Sequence, residues 1–370
     1  MRMNHGIAAN AEIFKLAPGD MDHVFRRSGL AGNSLSPFCY NAEQAAVNNP
    51  SEGFKTLADN VSFSKISKRL LEPDIKILFH SGGSAAVDEQ YYAFLSSDDS
   101  SVLAQFTNSQ GEFVNLYFAD RETYLQWWAS IYSTEGTEQY AQLFAGQEDV
   151  ETLVCALHCI DIYRRAYMES MLDYRTMVDT AISTQDYVQI LKKTLASADL
   201  RWILPSLFEL TPGLKKASIS LKPEHLKKIE ECGLVKSKDP SMLTMDQLAI
   251  TMGTEFLMTW MGSVGWQASA LVNGEERTLS QGFLAATAFA NHLFSFYTED
   301  GSIYRFSHQP SSRVELLKNL QEWLNGLHQA NPNILPEQTV PSAKQAKFCG
   351  QCGEEIHRGD KFCASCGTRV

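Results

Sequence analysis

The chain has 370 residues, 44% of them hydrophobic and 11% aromatic, and carries a formal net charge of -11. That composition supplies apolar side chains for two or three globular cores, and the charge works against the nonspecific phosphate attraction on which nucleic-acid binders depend. No stretch approaches eighteen uninterrupted apolar residues, and residues 1–16 carry His5, Asn10, Glu12 and Lys15 where an export signal needs an apolar run, so a cytoplasmic protein without a membrane span is expected.

The first half is assigned to residues 1–135. A helix begins near Pro18 and is stopped by Gly29-Leu30, and a second is expected over residues 53–71. Alternation then predicts strands at 75–80 and 91–95 about a Gly82-Gly83 turn, and strands at 102–106 and 113–118 about Gly111. A helix over 120–132 closes the half. Its Trp127-Trp128 pair cannot face one side, because neighbouring residues on a helix lie about 100° apart. One of the two is therefore a candidate partner contact, since tryptophan is enriched at interface hot spots.

Residues 136–215 read as a helical connecting segment, with Val150, Leu153, Val154, Leu157, Ile160 and Tyr163 on one stripe. Cys155 and Cys159 fall one turn apart on the same face, and core packing explains them better than a metal site lacking further ligands. Tyr163, Tyr167, Met168, Met171 and Tyr174 are expected in the core rather than in a binding groove.

The second half, residues 216–328, repeats the order of the first. Pro223 opens a helix that Gly233-Leu234 closes, and a helix over 245–261 follows, with a Thr244-x-x-Gln247 capping box. Strands are expected at 265–272 and 277–283 about Asn273-Gly274, and at 291–297 and 302–306 about Gly301. A helix over 312–327 opens with Ser312-x-x-Glu315. The fold class expected is thus α+β, a duplicated helix/antiparallel-meander/helix unit joined by a helical middle.

This order, with a helix ending near Leu71-Glu72-Pro73 followed by a meander through Tyr91-Tyr92-Ala93-Phe94-Leu95 and Phe113-Val114-Asn115-Leu116, resembles the EspG type of type VII secretion chaperone. The resemblance implies a pseudo-twofold α+β protein that binds helical substrate pairs without catalysis. The chain departs from that family in its carboxyl-terminal segment, and no substrate-binding residues carry over.

Catalytic signatures are not evident. There is no P-loop, Rossmann glycine fingerprint or H-E-x-x-H, and Gly262-Ser263-Val264-Gly265 misses the spacing of a nucleophile elbow. The nine histidines are dispersed, and pairs such as Asp98-Asp99 and Glu275-Glu276 fall in expected turns.

Residues 329–346, with Pro332, Pro336 and Pro341 among polar residues, read as a flexible linker. Beyond it, Lys347-Phe348-Cys349-Gly350-Gln351-Cys352-Gly353 returns as Lys361-Phe362-Cys363-Ala364-Ser365-Cys366-Gly367. Two C-x-x-C turns present four thiolates to one tetrahedral Zn²⁺, with Gly353 and Gly367 free to take positive φ. All four ligands are sulfur, so the ion is closed to water and structural. Residues 347–370 resemble the zinc-ribbon family, and metal binding of about 10–16 kcal/mol would supply the folding energy so short a segment cannot draw from a core. Five basic and three acidic residues from Lys344 onward are offset by the zinc–thiolate cluster, leaving the ribbon neutral and poorly suited to clamp DNA.

The function expected is a non-enzymatic, chaperone-like adaptor that binds a protein partner and carries a tethered ribbon. The alternatives are a regulator binding nucleic acid through the ribbon, and an enzyme whose site is assembled from dispersed residues.

Overall fold

The computed structural model describes residues 10–40, 49–82, 89–137, 141–214, 219–299 and 302–330, together with 347–348 and 355–356. The chain divides into two compact units, Met1–Pro332 and Asn333–Val370. In the second, the described residues are two strands of two residues each, Lys347–Phe348 and Glu355–Ile356, paired antiparallel.

The larger unit is α+β and is organised by one antiparallel sheet. Its first half runs β1 (Ala11–Leu16), α1 (Asp20–Ser28), α2 (Glu52–Ala58), α3 (Phe63–Leu71), β2 (Ile75–Gly82), β3 (Glu89–Leu95), β4 (Val102–Thr107), β5 (Phe113–Phe118) and α4 (Arg121–Tyr132). The second runs β6 (Glu148–Asp149), α5 (Val150–Leu172), β7 (Ala181–Ser183), α6 (Thr184–Leu195), α7 (Ile203–Leu210), α8 (Pro223–Glu231), β8 (Val235–Asp239) and β9 (Met242–Met245). It closes with α9 (Gln247–Thr259), β10 (Gly262–Val272), β11 (Glu275–Ala286), β12 (Asn291–Glu299), β13 (Ser302–Ser311) and α10 (Arg313–Ala330).

Sheet order is β1-β5-β4-β3-β2-β10-β11-β12-β13-β6, so β2 and β10 meet at the centre and each half repeats the other outward from there. The repeat differs in one respect from the alignment read off the sequence. The place of β1 at the sheet edge, followed by α1, is taken by β6 and α5, and not by the Pro223 helix. Helices α6, α7 and α8 and the small sheet β7-β9-β8 lie between α5 and α9, where the first half has only α2.

Period-two alternation sorts the side chains into cores on the two faces. Ala93, Leu95, Val102, Ala104, Leu116, Val264, Trp266 and Leu284 face one way, under Trp128 of α4 and Leu316, Leu320 and Leu324 of α10. Phe94, Leu103 and Tyr117 face the other way beneath α1 to α3. On that same side Phe283, Phe294, Phe296 and Phe306 pack under α5 to α9. α5 is buried on every side from Thr152 to Arg164, which makes it the central helix of the second half.

At the sheet centre the backbone of α7 comes very close. A Cβ on Gly265 would stand 1.9 Å from the Leu210 carbonyl oxygen, and one on Gly82 would stand 2.6 Å from Leu200 Cδ1. Only glycine fits at 265, where the obstacle is helix backbone; at 82 it is the tip of the Leu200 side chain, which precedes α7.

Two local readings are corrected. The helix expected over 53–71 is split into α2 and α3, because the Asn60 side chain accepts from the Ser62 amide at 2.6 Å and stabilises a turn in place of helix. The Thr244 capping box does not form: Thr244 lies in β9, paired with Ala181 and Lys236, and Asp246 stands at the N-cap of α9. The Ser312 box does form, with the Ser312 amide donating to Glu315 at 2.9 Å and the Glu315 amide to Ser312 Oγ at 3.4 Å.

Candidate functional sites

The expected zinc ligands Cys349, Cys352, Cys363 and Cys366 lie outside the described residues. The tryptophan pair does not. Trp128 is 2% exposed, sealed beneath α4 against Phe79, Trp266 and Tyr132, and so is core rather than a partner contact. Trp127 is half-buried, with its ring against Phe118, Tyr124 and Tyr91.

Cys155, His158 and Cys159 are fully buried in α5 around Tyr187 of α6. The Tyr187 hydroxyl donates to the Cys155 carbonyl at 3.1 Å, and His158 Nε2 donates to the Tyr187 carbonyl at 3.1 Å. Burial pushes the Cys155 thiol up to about 12 and Cys159 higher still, so neither is a ready thiolate. Burial also lowers His158 to about 3. The cluster is helix–helix packing.

By distance alone Asp149, Glu151 and His225 could share a metal ion, their ligand atoms lying within 4.8 Å of one another. Hydrogen bonding argues otherwise. The Lys222 amide donates to His225 Nδ1 at 3.0 Å, so neutral His225 carries its proton on Nε2, the atom that would have to ligate. Lys228 Nζ already sits 2.5 Å from Asp149 and 2.7 Å from Glu148, and Asp149 caps α5 through the Thr152 amide. Burial alone would raise the Asp149 carboxyl, but Lys228 and Thr152 hold it at about 2. This is an ion-paired helix cap.

A second cluster links three elements and was not foreseen. His292 Nε2 lies 2.9 Å from Glu255 Oε1, His292 Nδ1 lies 3.1 Å from His308 Nε2, and the Leu143 amide donates to His308 Nδ1 at 3.1 Å. Glu255 also accepts from the Thr287 hydroxyl. The three side chains are 8%, 0% and 3% exposed. Burial alone would raise Glu255, but the His292 and Thr287 donors keep it below the usual glutamate range. Burial and the neighbouring His292 push His308 well down. A trace of this cluster exists in the sequence: His292 shares strand parity with Phe294 and Phe296, and His308 with Phe306, so both point into the core.

A cleft of about 420 Å³ opens between α4 and α10, lined by Arg121, Gln126, Gln321 and Asn325. Arg121 Nη1 donates to Asn325 Oδ1 at 2.9 Å. Asp120 and Glu122 on the same rim counter its charge, leaving no strongly cationic seat.

The end of α5 breaks the expectation of burial. Met168, Met171, Leu172, Tyr174 and Met177 are 41%, 64%, 78%, 95% and 80% exposed. Met168, Met171 and Leu172 stand at i, i+3 and i+4, on one face, and Tyr174 and Met177 are exposed in the segment that directly follows the helix. Their charged neighbours are Glu169, Asp173 and Asp179, with Arg175 tied to Asp173 at 2.7 Å.

No protein-family model matches the chain, and no curated protein is significantly similar to it. Among the described residues no helix is long and apolar enough to cross a membrane.

Proposed function

We propose that the protein is a non-enzymatic, chaperone-like adaptor of the cytoplasm, with a protein-binding body and a tethered zinc ribbon at its carboxyl end. The observation that carries this reading is the methionine-rich surface at the end of α5. Five large apolar side chains are exposed between residues 168 and 177, a density that marks an interaction surface better than singly scattered surface residues do. Methionine is flexible and polarizable, and suits surfaces that accept varied apolar partners.

The occupant proposed is an apolar segment of another protein with basic flanks. Glu169 and Asp179 flank these residues, Asp173 being paired with Arg175, and the chain carries -11 overall. Five side chains are far fewer than the roughly 20–30 residues a side of a standard interface, so a single helix or extended segment fits them better than a broad domain surface. The ribbon, with one Zn²⁺ on Cys349, Cys352, Cys363 and Cys366, serves as a second, independent recognition surface.

Two measurements test this. Partners captured by the full chain are quantified against Met171→Glu/Leu172→Glu, which places charge on an already solvated face and leaves the core alone. Loss of a basic-flanked partner by 10-fold or more is expected, with capture retained by the separate Met171→Leu variant; equal capture by the native and doubly substituted chains overturns the reading. Separately, purified protein is expected to hold one zinc per chain, with four thiols shielded from alkylation under native reducing conditions. Metal-free protein with those thiols open would remove the ribbon.

A further inference from the structure

Hydrogen-bond donors and acceptors in the Glu255–His292–His308 cluster admit one arrangement of protons. A backbone amide can only donate, so His308 Nδ1, 3.1 Å from the Leu143 nitrogen, must hold a lone pair. Neutral His308 therefore keeps its proton on Nε2 and donates it to His292 Nδ1 at 3.1 Å. His292 in turn keeps its proton on Nε2 and donates to Glu255 at 2.9 Å. The chain of donors runs from Leu143 to the carboxylate without a break.

One further proton on either ring breaks it. On His308 the proton must go to Nδ1, where it faces the Leu143 N–H. On His292 it goes to Nδ1 and faces the His308 proton, and relief by moving that proton to His308 Nδ1 again removes the acceptor Leu143 needs. Leu143 binding and a charged histidine pair exclude each other.

Leu143 belongs to a short segment that covers the outer edge of β13, where the partner strand β6 reaches only Arg305 and Phe306. Gln142 Nε2 donates to the Phe144 carbonyl at 2.8 Å and to the His308 carbonyl at 3.4 Å. Phe144 is buried edge-on against Phe306 at 5.7 Å. We infer that residues 141–147 form a proton-sensitive latch, closed while the histidine pair is neutral and released from the edge of β13 when the pair takes up a proton.

The groups facing the pair are few. Glu255 comes from α9, His292 and His308 face each other from β12 and β13, and α5 contributes apolar Val150, Leu153 and Val154 to the same core. Glu148 and Asp149 of β6 are engaged by Lys228, and Arg305 of β13 is exposed. Burial disfavours the charged ring in the closed form, so proton uptake accompanies opening.

The test is amide exchange in the full chain, expressed as protection factors so that intrinsic pH dependence is removed. Leu143 protection is expected to fall about 10-fold per pH unit below roughly pH 6.5, one proton per opening, while Leu116 in β5, freed only by global unfolding, keeps far higher protection and follows the slope of global stability. His308→Asn leaves an acceptor near the place of Nδ1 without a titrating ring, and the pH dependence at Leu143 should flatten. Constant Leu143 protection from pH 7.5 to 5, an unchanged slope in the variant, or matching slopes at Leu143 and Leu116 would each overturn the latch. Should the variant not fold, ring ¹⁵N shifts of the native protein decide: a protonated His308 Nδ1 at pH 7.5 refutes the mechanism, and a bare one supports it.

Discussion

Acidification from pH 6.5 to 4.5 is expected to remove about 2 kcal/mol of stability through His158, and more in the same direction through His308, both buried in the neutral form. Burial holds His158 at about 3 and pushes His308 well below its ordinary value. In the unfolded chain each regains a pKa near 6.5. Below that pH the unfolded state binds protons the folded state refuses, so stability declines as pH falls, by about 1.4 kcal/mol per pH unit for each ring. Nothing is lost above pH 7. Below about pH 4 the carboxylates Asp99 and Asp149, both held at about 2, add to the loss by the same linkage. Urea unfolding at half-unit intervals measures the slope, and His158→Phe, which retains the ring volume, should lower it by about 1.4 kcal/mol per pH unit. A flat profile between pH 6.5 and 5 would contradict the buried neutral assignment.

The second large effect is expected at Asp161. Its carboxylate meets Arg164 Nη1 at 2.8 Å and accepts the amides of Ile203 at 3.2 Å and Leu204 at 2.9 Å, capping α7 from the side of α5. Arg164 is gripped in turn by the faces of Trp202 at 5.1 Å and Trp260 at 4.9 Å, and its Nη2 donates to the Arg201 carbonyl at 3.0 Å. Both side chains of the pair are at most 5% exposed. Burial pushes the Asp161 carboxyl up, opposed by Arg164 and the two amides. Asp161→Ala leaves a guanidinium buried without its counter-charge and should cost about 3–5 kcal/mol, read from the urea midpoint. The pair Asp161→Asn/Arg164→Met, which removes both charges while an oxygen remains for the α7 amides, should cost much less. Equal losses in the two proteins would mean that the ion pair is not what the site depends on.

Both meanders and their closing helices were legible because their signals are local. Alternation at Phe94, Leu103 and Tyr117 against Ala93, Val102 and Leu116 needs no knowledge of the neighbouring strand, and Ser312 and Glu315 are three residues apart. What failed depended on distant groups. Thr244-x-x-Gln247 has the composition of a cap, yet β7 and β8 claim Thr244 for a sheet. Met168, Met171 and Tyr174 continue the apolar character of a helix whose first turns are buried on all sides, and sequence does not say where the covering elements stop. The edge strand β6 is two residues long, too short for any pattern to reveal. Glu255, His292 and His308 come from three elements, so only strand parity hinted that two of them face inward.

The β2–β10 junction bears on how the chain is made. During synthesis β2 is complete long before residue 262 leaves the ribosome, and at about 5–20 residues per second the wait is roughly ten to forty seconds. Through that interval its backbone N–H and C=O groups have no strand on one side, an open template for a neighbouring nascent chain. Productive folding therefore competes with dimerisation of amino-terminal fragments, and a chain released before β10 should accumulate as aggregate.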